Sequence, residues 1–300
     1  MKRTRGSSLR LELLALPLLL VGLVACGAGG ASTATRQTTT SPATATALNG
    51  LIAIGHSALT GENSDPSTSG AVPANSWATG TNPALHSIYE RMLAAFPKLK
   101  GHVANTAIGG ATADQLAGQA RAALAMVPHP QLAIIQTIDN DIRCDGTDAS
   151  HVAKFGDSLR AALQVIFEQS PHTQVLIVSP QGSPARELKL MAPLIASSAQ
   201  VRQIYAGPAP CGMVDNHGNI VRANVASLTA IINAYAREQA RVCGTYPTCQ
   251  TDHGALATFN HDPSVVASDF NHLNIRGLKE VAAKEWPSVR SALAKNEPAK

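Results

Sequence analysis

The sequence predicts an α/β domain, three layers (α/β/α) around a mostly parallel sheet, and three observations predict it. Residues 51–54, 132–135 and 175–178 are continuous apolar runs of strand length, the pattern of strands buried on both faces. Stretches with apolar residues at helical spacing stand between these runs, and such alternation points to βαβ units. The chain of 300 residues is 45% hydrophobic and only 15% charged. Against a usual charged share of about 25%, that leaves ample material for one large core and excludes a disordered or acidic-tail protein.

In chain order, residues 1–25 read as an export signal. Lys2, Arg3, Arg5 and Arg10 form a basic stretch, and residues 13–25 an apolar one too short for a comfortable membrane span. The run Leu23-Val24-Ala25-Cys26 resembles the lipobox of bacterial lipoproteins. That resemblance implies lipidation of Cys26 and anchoring to the outer face of the cell membrane; cleavage nearby and free secretion is the alternative. Residues 26–47 are almost entirely Ala, Gly, Ser and Thr and read as a flexible tether. Residues 48–300 are then the folded domain. No apolar run of membrane-spanning length lies in it, which excludes a protein of many spans. The formal net charge is +4, and the basic stretch against Glu12 supplies three of those charges. The remainder is nearly neutral and lacks the basic patch that a nucleic-acid binder needs.

Within the domain, residues 51–54 are the first strand and residues 102–105 a weaker second. Thr112 and Gln115 form a capping box, and Leu116, Ala120, Ala123 and Val127 continue at helical spacing. After the strand at 132–135, Val152, Phe155, Leu159, Leu163 and Ile166 mark a second helix. After the strand at 175–178, Val221, Val225, Leu228, Ile232 and Tyr235 mark a third. Leu278, Val281, Ala282 and Trp286 mark a fourth, which is expected to end before Pro287. Residues 62–82 and 181–213 read as long irregular segments, and such segments tend to shape functional sites.

Four cysteines follow Cys26, an even set that predicts two disulfides in an exported chain. Cys243 and Cys249 flank a turn-like Gly-Thr-Tyr-Pro stretch and pair locally, leaving Cys144 with Cys211. A zinc site on these thiolates has no Cys-x-x-Cys spacing to support it.

Four short segments carry chemistry. Ser57 directly follows the first strand, where open α/β sheets bind ligands. Gly109 and Gly110 make a turn just before the capped helix, whose unpaired N–H groups face anions. Asn140 follows the third strand and can bring an amide donor to the same rim. Asp269 and His272 are three apart, so one helical turn places both side chains on one face. His56, next to Ser57, is expected to point away from it. Asp252, His253, His261 and Asp262 crowd the same stretch as Asp269 and His272, but their spacing fits no common metal motif.

Together, Gly55-His56-Ser57, residues 105–112, residues 138–141 and Asp269 to His272 resemble the four ordered blocks of the SGNH/GDSL serine esterases. The resemblance spans about residues 48–290. It implies a flavodoxin-like SGNH hydrolase architecture and a cofactor-free, metal-free mechanism. Ser57 is then the nucleophile, His272 the base, Asp269 its orienting acid, and Gly110, Asn140 and the Ser57 N–H the oxyanion hole. Two departures stand out: His56 replaces the usual Asp before the serine, and Ile138 the usual Gly two before the asparagine. The implied substrate is a small-molecule, lipid or glycan ester, the implied partner is the membrane through Cys26, and the expected state is a monomer. An acyltransferase using the same triad on a cell-envelope glycan or lipid remains open, as does a non-catalytic binding lipoprotein.

Overall fold

The computed structural model describes residues 49–207 and 211–294. The export signal, the tether and Cys26 lie outside the described residues.

Strands Leu51–Gly55 (β1), Val103–Asn105 (β2), Leu132–Gln136 (β3), Gln174–Val178 (β4) and Cys249–Thr251 (β5) form one all-parallel sheet in the order β2-β1-β3-β4-β5. Every residue of β1, β3 and β4 is buried, which is why these strands read as unbroken apolar runs. The helices are Ile88–Ala95 (α1), Leu116–Met126 (α2), Asp148–Gln169 (α3), Pro184–Ser197 (α4), Ala199–Tyr205 (α5), Arg222–Cys243 (α6) and Ile275–Ala294 (α7). Alternate strand residues serve opposite faces. Leu51, Ala53, Leu132 and Ile134 pack with α1 and α7, while Ile52, Ile54, Ala133 and Ile135 pack with α2, α3 and α6. The domain is therefore the three-layer α/β/α arrangement predicted, in the flavodoxin-like strand order. Winding reverses between β1 and β3, and that switch point opens a crevice beyond the strands' carboxyl ends.

Five elements differ from the sequence reading. Much of residues 181–213 is helical, as α4 and α5, rather than irregular. Leu188, Met191 and Ile195 of α4 are buried at helical spacing, and Pro184 occupies the first turn, where no N–H is required. Pro193 lies on the solvent face of α4, so the Lys189 carbonyl that lacks a helical partner is exposed to water. The same arrangement at Pro287 and Ala283 lets α7 run on to Ala294 instead of stopping. Helix α1, opened by a capping box of Ser87 and Glu90, and the short edge strand β5 were not read from the sequence. Both disulfides form as expected, Cys144–Cys211 and Cys243–Cys249.

Glu285 of α7 is fully buried near Asp252, and burial first, then the neighbouring carboxylate, push its carboxyl up to about 8. At pH 7 the folded state keeps a proton that the unfolded chain, titrating near 4.5, has lost. Stability attached to this group is complete below pH 4.5 and declines as pH rises toward 8, by at most about 1.4 kcal/mol per pH unit. Glu285→Gln should remove that decline. In urea unfolding at pH 5 and pH 8, the variant is expected to lose less stability than the wild type over the same interval. Parallel losses would show that Glu285 is ionised in the folded state.

Candidate active site

Gly55 ends β1 with φ +146, and a Cβ there would stand 1.9 Å from the Gln136 carbonyl oxygen of β3. Only glycine fits so close an approach. Gln119 of α2 grips both backbone groups of Gly55: its Oε1 accepts the Gly55 N–H (2.7 Å) and its Nε2 donates to the carbonyl (3.0 Å). Two residues later the chain turns into the 3-10 segment Ser57–Leu59. His56 caps this turn, its Nδ1 accepting the Ala58 N–H at 3.3 Å. Its Nε2 lies 3.1 Å from Asp139 Oδ2, without the geometry of a hydrogen bond. With Nδ1 used as an acceptor and Nε2 facing Asp139, His56 supports the turn and is not placed to act as the base. Ser57 Oγ makes no hydrogen bond among the described residues; the Ser57 carbonyl accepts from the N–H and Oγ1 of Thr60.

His272 and Asp269 form the expected pair. His272 Nδ1 is 2.6 Å from Asp269 Oδ2, and the His272 N–H donates to Oδ1 at 2.9 Å. Oδ1 also accepts the Asn271 N–H (3.0 Å), and Oδ2 accepts Asn63 Nδ2 (2.6 Å). Burial alone would raise the Asp269 carboxyl, but these donors outweigh it and lower it to about 2. Asp269 is thus a fixed anion, and it holds the proton of His272 on Nδ1. That leaves Nε2 with a lone pair for the cleft.

Ser57, Asn140 and His272 line one polar cleft of about 310 Å³, shared with His56, Glu62, Asp139, Gln181, Glu187, His261 and Asn271. Its apolar lining is confined to Ala58, Leu273 and Leu278. A larger open groove of about 580 Å³ between α4 and α6, lined by Leu188, Ile220 and Val225, shares no residue with it.

Asn140 is held by a bond from its Nδ2 to the Ala111 carbonyl (3.1 Å), which uses one amide hydrogen and leaves the second. The turn beneath it begins at Ile138, fully buried and at φ +96, a conformation foreign to β-branched residues. Strain of this kind persists only where surroundings over-determine it. Here Asp141 supplies the restraint: its N–H donates to the Ile138 carbonyl (2.7 Å), its Oδ1 accepts the Ala113 N–H (3.0 Å) and its Oδ2 accepts the Thr137 hydroxyl (3.0 Å). Burial raises the Asp141 carboxyl while these bonds lower it, and burial prevails. Asp141 therefore ties the Asn140 turn to the glycine turn before α2.

Gly110 is exposed at φ +76 and stands outside the cleft lining. Glu62 borders the cleft near this turn; its Oε2 lies 3.4 Å from where a Cβ on Gly109 would stand. Apart from the His272–Asp269 pair, the acidic and histidine residues after β5 find separate partners. Asp252 accepts Ser179 Oγ, Asp262 accepts the Ser264 hydroxyl and N–H, and His261 meets Glu187. Asn63, Gln119, Asp141, Gln181 and Glu187 were not singled out from the sequence. Asn63, Gln181 and Glu187 do fall in the two segments expected to shape a pocket; Gln119 and Asp141 are ordinary polar residues until the chain brings them together.

The chain matches no protein-family model and no curated protein. Among solved structures it is similar to a GDSL-like lipase from Parabacteroides merdae (14% identity, 81% of this chain and 96% of that one, TM-score 0.48). It is also similar to phospholipase A1 from Streptomyces albidoflavus (13% identity, 82% and 100%, TM-score 0.48). An extracellular lipase from Streptomyces rimosus is a third (16% identity, 81% and 99%, TM-score 0.42).

Proposed function

We propose that this chain hydrolyses carboxylic esters through an acyl-enzyme on Ser57. The observation that carries the reading is the hydrogen-bonded His272–Asp269 pair in the same cleft as Ser57, whose hydroxyl makes no hydrogen bond among the described residues. His272 Nε2 takes the Ser57 proton as Oγ attacks the ester carbonyl, and returns it to the departing alcohol. Asp269 stabilises the imidazolium formed in between. The negative charge on the carbonyl oxygen is met by the Ser57 N–H at the start of its 3-10 turn and by the second amide hydrogen of Asn140; Gly110, the third expected donor, stands outside the cleft lining. Water then attacks the acyl-enzyme by the same route in reverse.

A polar cleft of about 310 Å³ with little apolar lining favours short acyl groups. Nitrophenyl esters from acetate to palmitate should therefore show kcat/KM highest at acetate to butyrate and falling beyond. Hydrolysis of none of them would overturn the ester-hydrolase reading, and a maximum at palmitate would overturn the chain-length reading.

The lipobox-like run supports a second part of the proposal, that the mature protein is lipid-anchored through Cys26 outside the cell membrane. Cys26→Ser should move the protein from the membrane fraction to the soluble one. An unmodified Cys26 thiol in the membrane-extracted wild type, seen by mass spectrometry, would refute it.

A further inference from the structure

We propose that Glu187, His261 and Gln181 form a subsite for the alcohol part of the ester, and that this alcohol is a neutral polyol such as a sugar. The proposal rests on the ester-hydrolase reading and names the substrate class of the same cleft. All three residues line that cleft, yet none belongs to the triad or its oxyanion donors. Glu187 Oε1 on α4 accepts the Tyr205 hydroxyl at 2.8 Å and lies 3.0 Å from His261 Nδ1. The loop carrying His261 is tied to the same helix by Arg186, whose Nη1 donates to Asn260 Oδ1 at 2.9 Å. The turn carrying Gln181 lies beside His261: a Cβ on Gly182 would stand 3.9 Å from His261 Cβ.

This framework leaves two groups unsatisfied. His261 is 7% exposed and its Nε2 has no hydrogen-bond partner among the described residues, and Gln181 Nε2 is buried without one there as well. Buried polar atoms are almost always paired, so two in one cleft wall point to a ligand that pairs them. Their chemistry is complementary. With Nδ1–H directed at Glu187, His261 Nε2 accepts a hydrogen bond, while the Gln181 amide donates one. A hydroxyl donates and accepts, so one hydroxyl or two adjacent ones satisfy both groups, whereas a methylene chain satisfies neither. The carboxylates of Glu62, Asp139 and Glu187 along the same lining disfavour a phosphorylated or acidic alcohol.

The test compares a monoacetylated glucose with 4-nitrophenyl acetate for the full-length wild type, His261→Ala and Gln181→Ala. The ratio of kcat/KM for the sugar ester to that for the aryl ester should fall about three- to tenfold in each variant, chiefly through KM, as expected for one lost hydrogen bond. A ratio that stays at the wild-type value in both variants would overturn the subsite, because a structural role for these residues lowers both substrates alike. If His261→Ala unfolds, Gln181→Ala on its loop decides. If the wild type cleaves neither ester, the hydrolase reading fails by itself. The subsite is then judged by NMR titration with the glucose ester: weaker binding to Gln181→Ala supports it, and equal binding overturns it.

Discussion

Ser57→Ala is expected to lower kcat for a short-chain nitrophenyl ester by roughly 10⁵- to 10⁶-fold, the scale of losing a catalytic serine whose partners act as a unit. The fold should not notice. Ser57 Oγ makes no hydrogen bond among the described residues, and the Ser57 bonds that support the turn, from the Thr60 N–H and hydroxyl, go to its backbone carbonyl, which alanine keeps. The melting curve of the variant should therefore lie within about 0.5 kcal/mol of the wild type. A serine-directed phosphonate ester should label the wild type at Ser57 and leave the variant unlabelled. A well-folded variant with undiminished turnover would refute the mechanism. Labelling without ester turnover would instead favour transfer of the acyl group to another acceptor, and no labelling at all a binding protein.

The sheet was legible in the sequence because strands buried on both faces leave an unmistakable trace. The runs at 51–54, 132–135 and 175–178 became β1, β3 and β4, each lengthened by one residue, Gly55, Gln136 and Gln174 in turn. Strand β5 left no such trace, since Cys249-Gln250-Thr251 is short, partly exposed and pairs on one side only. Helix α4 was hidden by its own prolines, which are harmless at the first turn and on the solvent face but resemble breakers in a sequence. The residues of the triad were legible for a different reason. Each motif is local, a serine at a strand end and an Asp–His pair three apart, while the long-range meeting of Ser57 with that pair was implied by the resemblance to the esterase blocks. Gln119, Asn63 and Asp141 reach 64, 206 and 28 residues along the chain for their partners, and no periodicity reports such pairs.

The two departures from the esterase pattern acquire physical content in the same way. His56 keeps the capping role that a side-chain acceptor provides at that position, through Nδ1 to the Ala58 N–H. Ile138 occupies a backbone conformation suited to glycine, and its strain, of order 1–3 kcal/mol, is held by the Asp141 bonds on either side of the Asn140 turn. The Asn140 amide is fixed on the Ala111 carbonyl, at the turn that also carries Gly110.

Asp269→Asn should cost about 10⁴-fold in kcat at neutral pH. In the wild type both carboxylate oxygens face donors: Oδ1 the N–H groups of Asn271 and His272, Oδ2 the Asn63 amide and His272 Nδ1. Asparagine has one acceptor and one donor end, so either orientation sets a donor against donors. With its NH₂ toward His272 and Asn63, the amide donates to Nδ1 and shifts the ring proton to Nε2, where it can no longer accept from Ser57. With its NH₂ toward the backbone, it meets two N–H groups and the loop must open. The split between kcat and KM separates this electrostatic role from a merely structural one. Because Asp269 is lowered to about 2, it is an anion at every working pH, and Asp269→Asn removes that charge. Asparagine cannot stabilise the imidazolium formed as Oγ attacks, so the loss should appear in kcat with KM nearly unchanged, and should be the same at pH 6 and pH 8. A loss carried by KM would show that Asp269 only shapes the loop, and activity retained in His272→Ala would assign the base to another residue.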